Sequence, residues 1–194
     1  VESDELNPSN PYSATKAASE MLVRSYVKTY GLNAKITRCT NNFGPRQFPE
    51  KLIPKIIISA IKNEKIPVHG DGLSKRQWIH VFDHCDAIEK IILNWPKSLI
   101  YNISGNFETT NIEIIKKILK KLDKPEKMIK FVTDRPGQDR GYRVNANLIK
   151  RDTGFYPIMK PKESLEATID WYIQNKIWWQ TIPFKKIKNP TPWK

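Results

Sequence analysis

The sequence predicts an α/β protein, and three observations carry that prediction. Helix-like and strand-like runs alternate along the 194 residues. Helix-start signals recur: Asn10 before Pro11, and Thr110 three residues ahead of Glu113. The apolar runs between the helical patterns are of strand length, as in "AKITRCT" and "LIYNIS".

Taken in order, the first helix starts at Asn10–Pro11, runs to about Tyr30 and stops at Gly31. Ala14, Ala17, Ala18, Met21, Leu22 and Ser25 recur at three-four spacing and predict one buried stripe, with Tyr12 and Lys16 on a neighbouring face. A strand follows over Ala34–Thr40, a helix over about Leu52–Asn63 and a short strand near Pro67–His69. "RQWIHVF" leads into a helix from about His84 to Trp95, with Ala87, Ile88, Ile91 and Ile92 inward. After the "LIYNIS" strand, the Thr110 capping box opens an Ile-rich helix reaching about Leu122. "IKFV" predicts an edge strand, "NANLIKRDTG" a short helix ended by Gly154, and Glu163–Gln174 a last amphipathic helix. Beyond Trp179 the proline and lysine content predicts a docked or disordered tail.

The bulk composition narrows the function. With 39% hydrophobic and 10% aromatic residues the chain can bury a core. No apolar run approaches the roughly 20 residues of a membrane span, and no signal-peptide pattern opens the chain, so a cytoplasmic location without membrane contact is expected. Cys39 and Cys85 lack C-x-x-C spacing and are expected to be reduced and buried. The net charge of +13 invites a nucleic-acid reading, yet only 8 of the 33 basic residues are arginine. Lys116, Lys117, Lys120 and Lys121 fall on the polar side of one helix, a solvated face. A nucleic-acid module predicts clustered arginine with interleaved aromatics, and neither is evident. His80 and His84 have no third ligand cluster, so no metal is expected.

Catalytic chemistry is suggested by Tyr-x-x-x-Lys, which occurs three times: Tyr12/Lys16, Tyr156/Lys160 and Tyr172/Lys176. On a helix an ammonium one turn away stabilises a phenolate, giving a general base. Tyr156 precedes Pro157, which disfavours helix there. Tyr172 lies late in an amphipathic helix beside Trp171, where core packing is the plainer role. Tyr12, with small Ser13 and Ala14 between it and Lys16, is the candidate.

The blocks "NPYSATKAASE", "TRCTNNFGPRQFPEKLIPKII", "PVHGDGLSKRQWIHVFDH", "YNISG" and "TDRPGQDRGY", in that order over about Asn7–Trp179, resemble the C-terminal half of a nucleotide-sugar 4,6-dehydratase of the extended short-chain dehydrogenase/reductase family. The resemblance implies a lyase that uses NAD as an internal hydride carrier and turns a nucleoside diphosphate glucose, with dTDP-glucose or UDP-glucose as substrate, into its 4-keto-6-deoxy product. Tyr12 is then the base and Lys16 its partner, both also meeting the cofactor. Asn42 meets the cofactor side and Asn41 the substrate diphosphate region. Lys51 and Leu52 open a helix whose N-terminus faces a phosphate; Pro67, Val68 and His69 line the nucleobase pocket. Arg76 and Arg135 clamp the diphosphate, and Asn111, Asp134 and Gln138 complete the nucleotide site. His80 and Asp83 join strand to helix structurally. The family also implies a homodimer through the Tyr12 helix.

The family's glycine-rich first turn is not found: all eight glycines lie at or after Gly31 and none forms G-x-G-x-x-G. The expected fold is therefore the C-terminal part of a Rossmann-type doubly wound sheet with a small α/β substrate-binding subdomain, the N-terminal glycine-rich half being absent and the chain inactive alone. Residues 1–49 and 78–104 would be a remnant of the NAD-binding domain, 50–77 and 105–180 the nucleotide-sugar subdomain, and 181–194 a basic tail. Epimerases and decarboxylases of the extended family share Tyr-x-x-x-Lys, and a non-catalytic basic module is the third reading; "NNFGPRQFPEKLIP" and "DRPGQDR" favour the dehydratase.

Overall fold

Asn10 takes an extended backbone and its side-chain oxygen accepts the Ser13 N–H at 2.9 Å, while Ser13 Oγ accepts the Asn10 N–H at 3.2 Å. This reciprocal cap, with Pro11 in the first helical position, starts α1 (Pro11–Tyr30), and Gly31 ends it in the left-handed region at φ 65°. The structure, a computed structural model, describes residues 1–134, 137, 140, 141 and 143–182. The elements after α1 are β1 (Ile36–Cys39), β2 (Asn41–Phe43), α2 (Leu52–Ile61), β3 (Ile66–His69), β4 (Lys75–His80), α3 (Val81–Asn94) and β5 (Ile100–Ile103). They continue with β6 (Phe107–Thr110), α4 (Asn111–Lys121), a 3-10 turn (Glu126–Met128), β7 (Ile129–Val132), α5 (Asn147–Thr153), α6 (Pro161–Gln174) and α7 (Lys176–Gln180).

Among the described residues three strand pairs are parallel: β1 with β5, β2 with β4, and β3 with β7; β4 also pairs antiparallel with β6. These residues form two cores. One joins Phe43, Val68 and Trp78 to the inner faces of α2, α4 and α6. The other joins Ile79, Tyr101 and Ile103 to Ala87 and Ile91 of α3 and to Ile149 and Phe155. Successive side chains of a strand point to opposite faces, so β4 forms a wall between the two, with Trp78 on one side and Ile79 on the other.

Helix ends follow the sequence closely. Thr110 and Glu113 form the expected capping box, and the hydrogen bonds from Thr109 and Thr110 hold the Glu113 carboxyl at about 2. Gly154 ends α5 in the left-handed region, and the four lysines of α4 are exposed opposite its buried isoleucines. Other expectations are corrected. α3 begins at Val81 rather than His84, because the buried His80 ring caps it, Nδ1 accepting the Phe82 N–H at 3.4 Å. Within it Ala87 and Ile91 are buried, whereas Ile88 and Ile92 are exposed. Cys39 and Cys85 are free and exposed, not buried: β1 has β5 as its hydrogen-bonded neighbour and alternates half-buried with exposed positions. The stripe expected to be buried on α1 faces outward, with Ala14, Ala18, Met21, Leu22 and Ser25 exposed and Ala17 half-buried.

The expectation of a C-terminal part only of a doubly wound sheet is also corrected. Helix–strand alternation with parallel pairing begins at α1 and β1 and continues through β7, so the wound pattern runs along the chain. The reason is topological. A parallel pair needs a long crossover instead of a tight turn, and each of the three pairs finds its crossover, with a helix in it, within these residues. A glycine-rich turn binds pyrophosphate; parallel pairing does not depend on it.

Gly105 lies in the connection between β5 and β6, against β4, and a Cβ there would sit 2.2 Å from the Trp78 carbonyl oxygen and 3.0 Å from Ile79 Cα, both backbone atoms. Around Gly154 a Cβ would meet nothing within 4 Å among the described residues. Gly105→Ala is therefore expected to destabilise at or beyond the upper end of the about 1–3 kcal/mol of overpacking, against about 1 kcal/mol for the left-handed Gly154→Ala. Urea unfolding of the two variants checks the order; equal losses would refute it.

Candidate functional site

Of the three Tyr-x-x-x-Lys pairs, only Tyr12 and Lys16 share one continuous helix, α1, and both are exposed, Tyr12 at 74%. Tyr156 lies in the connection before α6; Tyr172 ends inside α6 while Lys176 starts α7. Tyr172 is fully buried, its hydroxyl donating to the Gln47 carbonyl, and burial pushes its phenol well above the ordinary value.

A carboxylate holds α1 in place. Among the described residues of α1, Glu20 alone is buried. Arg38 of β1 donates to it from Nε at 2.8 Å and from a terminal nitrogen at 2.6 Å; Arg24 adds bonds of 3.0 and 2.6 Å from its own helix. The chain thus runs from Glu20 to Tyr30, reverses through Gly31–Lys35 and returns along β1 to meet Glu20 again. It follows that the N-terminal end of α1, with Tyr12 and Lys16, lies toward the C-terminal end of β1. That end of a parallel strand is where open α/β sheets bind ligands.

Beyond it lies a turn rich in buried polar atoms. Thr40 donates its backbone N–H to Ile103 at 3.0 Å, continuing the β1–β5 pairing. Asn42 Nδ2 reaches the Thr40 carbonyl and Cys39 Sγ, each at 3.3 Å, and Gln47 Nε2 donates to the Asn42 carbonyl at 2.7 Å. Thr40 Oγ1, Asn42 Oδ1 and Gln47 Oε1 are buried without a protein partner among the described residues. Three oxygens able to accept at one turn fit a ligand that brings N–H or O–H donors, such as a carboxamide or a sugar hydroxyl. Asn41 begins β2 opposite Trp78, while exposed Lys51 precedes α2 and half-buried Leu52 opens it.

A second group gathers around β3, β4 and β7. Pro67, Val68 and His69 pair with Lys130, Phe131 and Val132, and His69 Nδ1 lies 3.2 Å from the Thr133 carbonyl. Asp134 packs on Gly70, where an added Cβ would come within 2.8 Å of Oδ2. Arg76, half-buried on β4, faces Thr109 of β6, and Asn111 donates its N–H to Ser74 at 3.3 Å. The Gly137 carbonyl accepts the Asn10 Nδ2–H at 3.4 Å beside the start of α1. Arg135 and Gln138, together with the tail from residue 183, lie outside the described residues. Asp83 is buried and structural: its carboxylate accepts the N–H groups of Ile158 and Met159 at 3.0–3.3 Å.

Sequence reasoning missed Glu20, Arg38, Thr40 and Gln47. Glu20 was findable, since Lys16, Glu20 and Arg24 form an i, i+4 ladder of alternating charge. Gln47 offers no local signal, because its role depends on a backbone carbonyl across a turn.

Comparison with known proteins bears on these residues. A family model described as the NAD dependent epimerase/dehydratase family matches residues 1–104. The dTDP-glucose 4,6-dehydratase of Neisseria meningitidis serogroup B is 44% identical over 186 residues, covering 90% of this chain and 52% of the relative. The crystal structure of the dTDP-glucose 4,6-dehydratase from Bacillus anthracis in complex with NAD superposes with a TM-score of 0.88 at 41% identity, over 94% of this chain and 58% of that one. The dTDP-glucose 4,6-dehydratase of Streptomyces venezuelae, solved with NAD bound, gives 0.91 at 38% identity, over 94% and 56%. The chain spans about half the length of the curated relatives it matches. The expectation that the resemblance is to a C-terminal half only is corrected by the family model, whose match begins at Val1 and lies in the N-terminal part of this chain. That expectation rested on a glycine turn, which reports one phosphate cradle rather than the extent of a family match.

The ion pair that seats α1 generates a pH dependence. Arg38's hydrogen bonds lead in holding the Glu20 carboxyl below its ordinary 4.5, burial opposes them, and Arg24 adds to the lowering. A carboxylate depressed in the folded state contributes stability above its unfolded value and loses it as the pH falls through its folded value. Glu20→Gln is expected to cost about 1.5–3 kcal/mol at neutral pH, and its gap to wild type should close as the pH falls below about 4.5. Urea unfolding across a pH series checks this; a gap independent of pH would contradict it.

Proposed function

Because this chain belongs to the NAD dependent epimerase/dehydratase family, we propose that it serves in the NAD-dependent dehydration of a nucleoside diphosphate glucose, dTDP-glucose or UDP-glucose, to the 4-keto-6-deoxy sugar. The observation that carries the reading is Tyr12 with Lys16 on one exposed helix turn, seated by Glu20 at the ligand end of β1. Relatives named dTDP-glucose 4,6-dehydratase at 38–44% identity support it.

Tyr12 takes the proton of the sugar 4-hydroxyl, and Lys16, one turn along, stabilises the phenolate that does so. Bound NAD would supply a hydride acceptor for C4–H and a hydride donor for C6, with a proton from solvent completing C5, so the sugar would undergo no net redox change. The C4 ketone withdraws electrons from the neighbouring C5–H, which lets that proton and the C6 hydroxyl leave together as water. Thr40 and Asn42 supply acceptor oxygens for the cofactor's carboxamide side, and Asn41 meets the substrate diphosphate with Lys51 and Leu52. Pro67, Val68 and His69 take the nucleobase; Arg76 with Arg135 clamps the diphosphate, and Asn111, Asp134 and Gln138 close the site. The outward face of α1, with Met21 at 50% and Leu22 at 62% exposure, packs on a second copy of the chain in a homodimer.

In the protein that carries this chain, Tyr12→Phe is expected to retain nucleotide binding and lower 4-keto-sugar formation from dTDP-glucose or UDP-glucose by about 10² to 10⁴. Tyr156→Phe, at an exposed position outside any helix, should leave turnover near wild type. Equal losses in both variants would sink the assignment of the base. For the dimer, sedimentation should show a two-copy species at micromolar concentration that Leu22→Asp converts to monomer, and a wild-type monomer would reject it.

A further inference from the structure

We propose that Tyr172 is a positioning residue for the cofactor-side asparagine, acting through Gln47; this deepens the reading above and rests on it. Tyr172 is fully buried in α6, and its hydroxyl donates to the Gln47 backbone carbonyl. Gln47 in turn donates from Nε2 to the Asn42 carbonyl at 2.7 Å. Two hydrogen bonds thus run from a helix that packs against α2 and α4 to the turn that presents Asn41 and Asn42.

The loop between them needs such an anchor. Gly44 has φ 147° and Arg46 φ 61°, the second a left-handed conformation in a residue with a Cβ. The loop's own backbone contact, from the Gln47 N–H to the Gly44 carbonyl, spans 3.5 Å and adds little. Side-chain contacts set its shape instead: the Tyr172 hydroxyl and the Arg46 guanidinium 5.9 Å above the Trp171 ring from outside, and the Gln47 amide within the loop.

Tyr172 is itself fixed. Its carbonyl accepts the Trp179 indole N–H at 2.9 Å, and the rings of Trp171 and Trp178 meet it edge-on at 5.0 and 6.3 Å. Phenylalanine would fill the same space, so packing alone does not account for a hydroxyl here. A buried hydroxyl costs free energy unless it is bonded, and this one is bonded to the loop. Burial raises the phenol's pKa, which keeps it protonated and donating.

The arrangement makes a differential prediction. The anchored loop leads back to Asn42, whereas Pro67–His69, Arg76 and Asn111 stand on β3, β4 and α4. Loss of the anchor should therefore weaken NAD binding more than binding of dTDP, the nucleotide probe, which shares only Asn41 with the turn and keeps its contacts on β3, β4 and α4. General destabilisation would weaken both.

The test measures NAD and dTDP affinity by calorimetry for wild type, Tyr172→Phe, Gln47→Ala and the double variant. Ile169→Val, a core change on the same helix, serves as the packing control. Tyr172→Phe and Gln47→Ala should each weaken NAD binding about tenfold, with dTDP within about twofold and the double variant no worse than the poorer single one. If Tyr172→Phe does not fold, Gln47→Glu, which keeps an acceptor oxygen but loses the Nε2–H that reaches the Asn42 carbonyl, decides by the same criterion. Unchanged NAD affinity, parallel loss of both ligands, or a similar NAD defect in Ile169→Val each overturns the proposal while leaving the family function standing. A wild-type protein that binds dTDP but no NAD overturns the cofactor reading, and the proposal with it.

Discussion

Everything this chain presents at its candidate site depends on how one helix is attached. α1 carries Tyr12 and Lys16, yet it contributes no hydrophobic residue to either buried core; its buried contact is the Glu20 carboxylate, grasped by Arg38 and Arg24. Apolar packing tolerates small slides and rotations, whereas a carboxylate meeting a planar guanidinium through two of its nitrogens does not. Desolvating these charges offsets part of the stability that their hydrogen bonds contribute. The pair's further contribution is geometric, since it sets which turn of α1 stands beside which residue of β1. The segment ahead of α1 is drawn into the same network, because Arg38 Nη1 donates to the Glu2 carbonyl and Glu2 Oε1 accepts the Asn102 N–H of β5.

Much of the fold was legible because its signals are local. The boxes at Asn10–Ser13 and Thr110–Glu113, and the stops at Gly31 and Gly154, act within one helical turn, and a single chain shows them. The strands Asn41–Phe43 and Phe107–Thr110 were not legible. They are short and largely polar, and they extend only because β4 offers each an edge. The small-residue stripe on α1 shows a different limit: periodicity identifies a helix face but not what covers it.

The site divides in the same way. Tyr12 could be separated from Tyr156 and Tyr172 by asking which pair lies on an unbroken helix, and the structure answers in favour of α1. Arg38 was beyond reach, since it acts on a carboxylate 18 residues earlier that the tertiary fold brings near, and Gln47 because its partner is a backbone carbonyl five residues back, which carries no side-chain signature. The absent glycine fingerprint misled in the opposite sense. It described a phosphate cradle, and the parallel winding it was taken to govern is present regardless.

The division of β4 between two cores has a further consequence for how the chain finds its native pairing. Trp78 and Ile79 are adjacent yet serve different interiors. A slip of one position would present the indole to a space shaped for isoleucine and carry the His80 ring away from the first turn of α3. Two interiors and a helix cap thus proofread the same strand, and an error in alignment is penalised on both faces at once. Near-native mispairings of β4 are thereby excluded by shape, before any interaction with a ligand is called upon to choose among them.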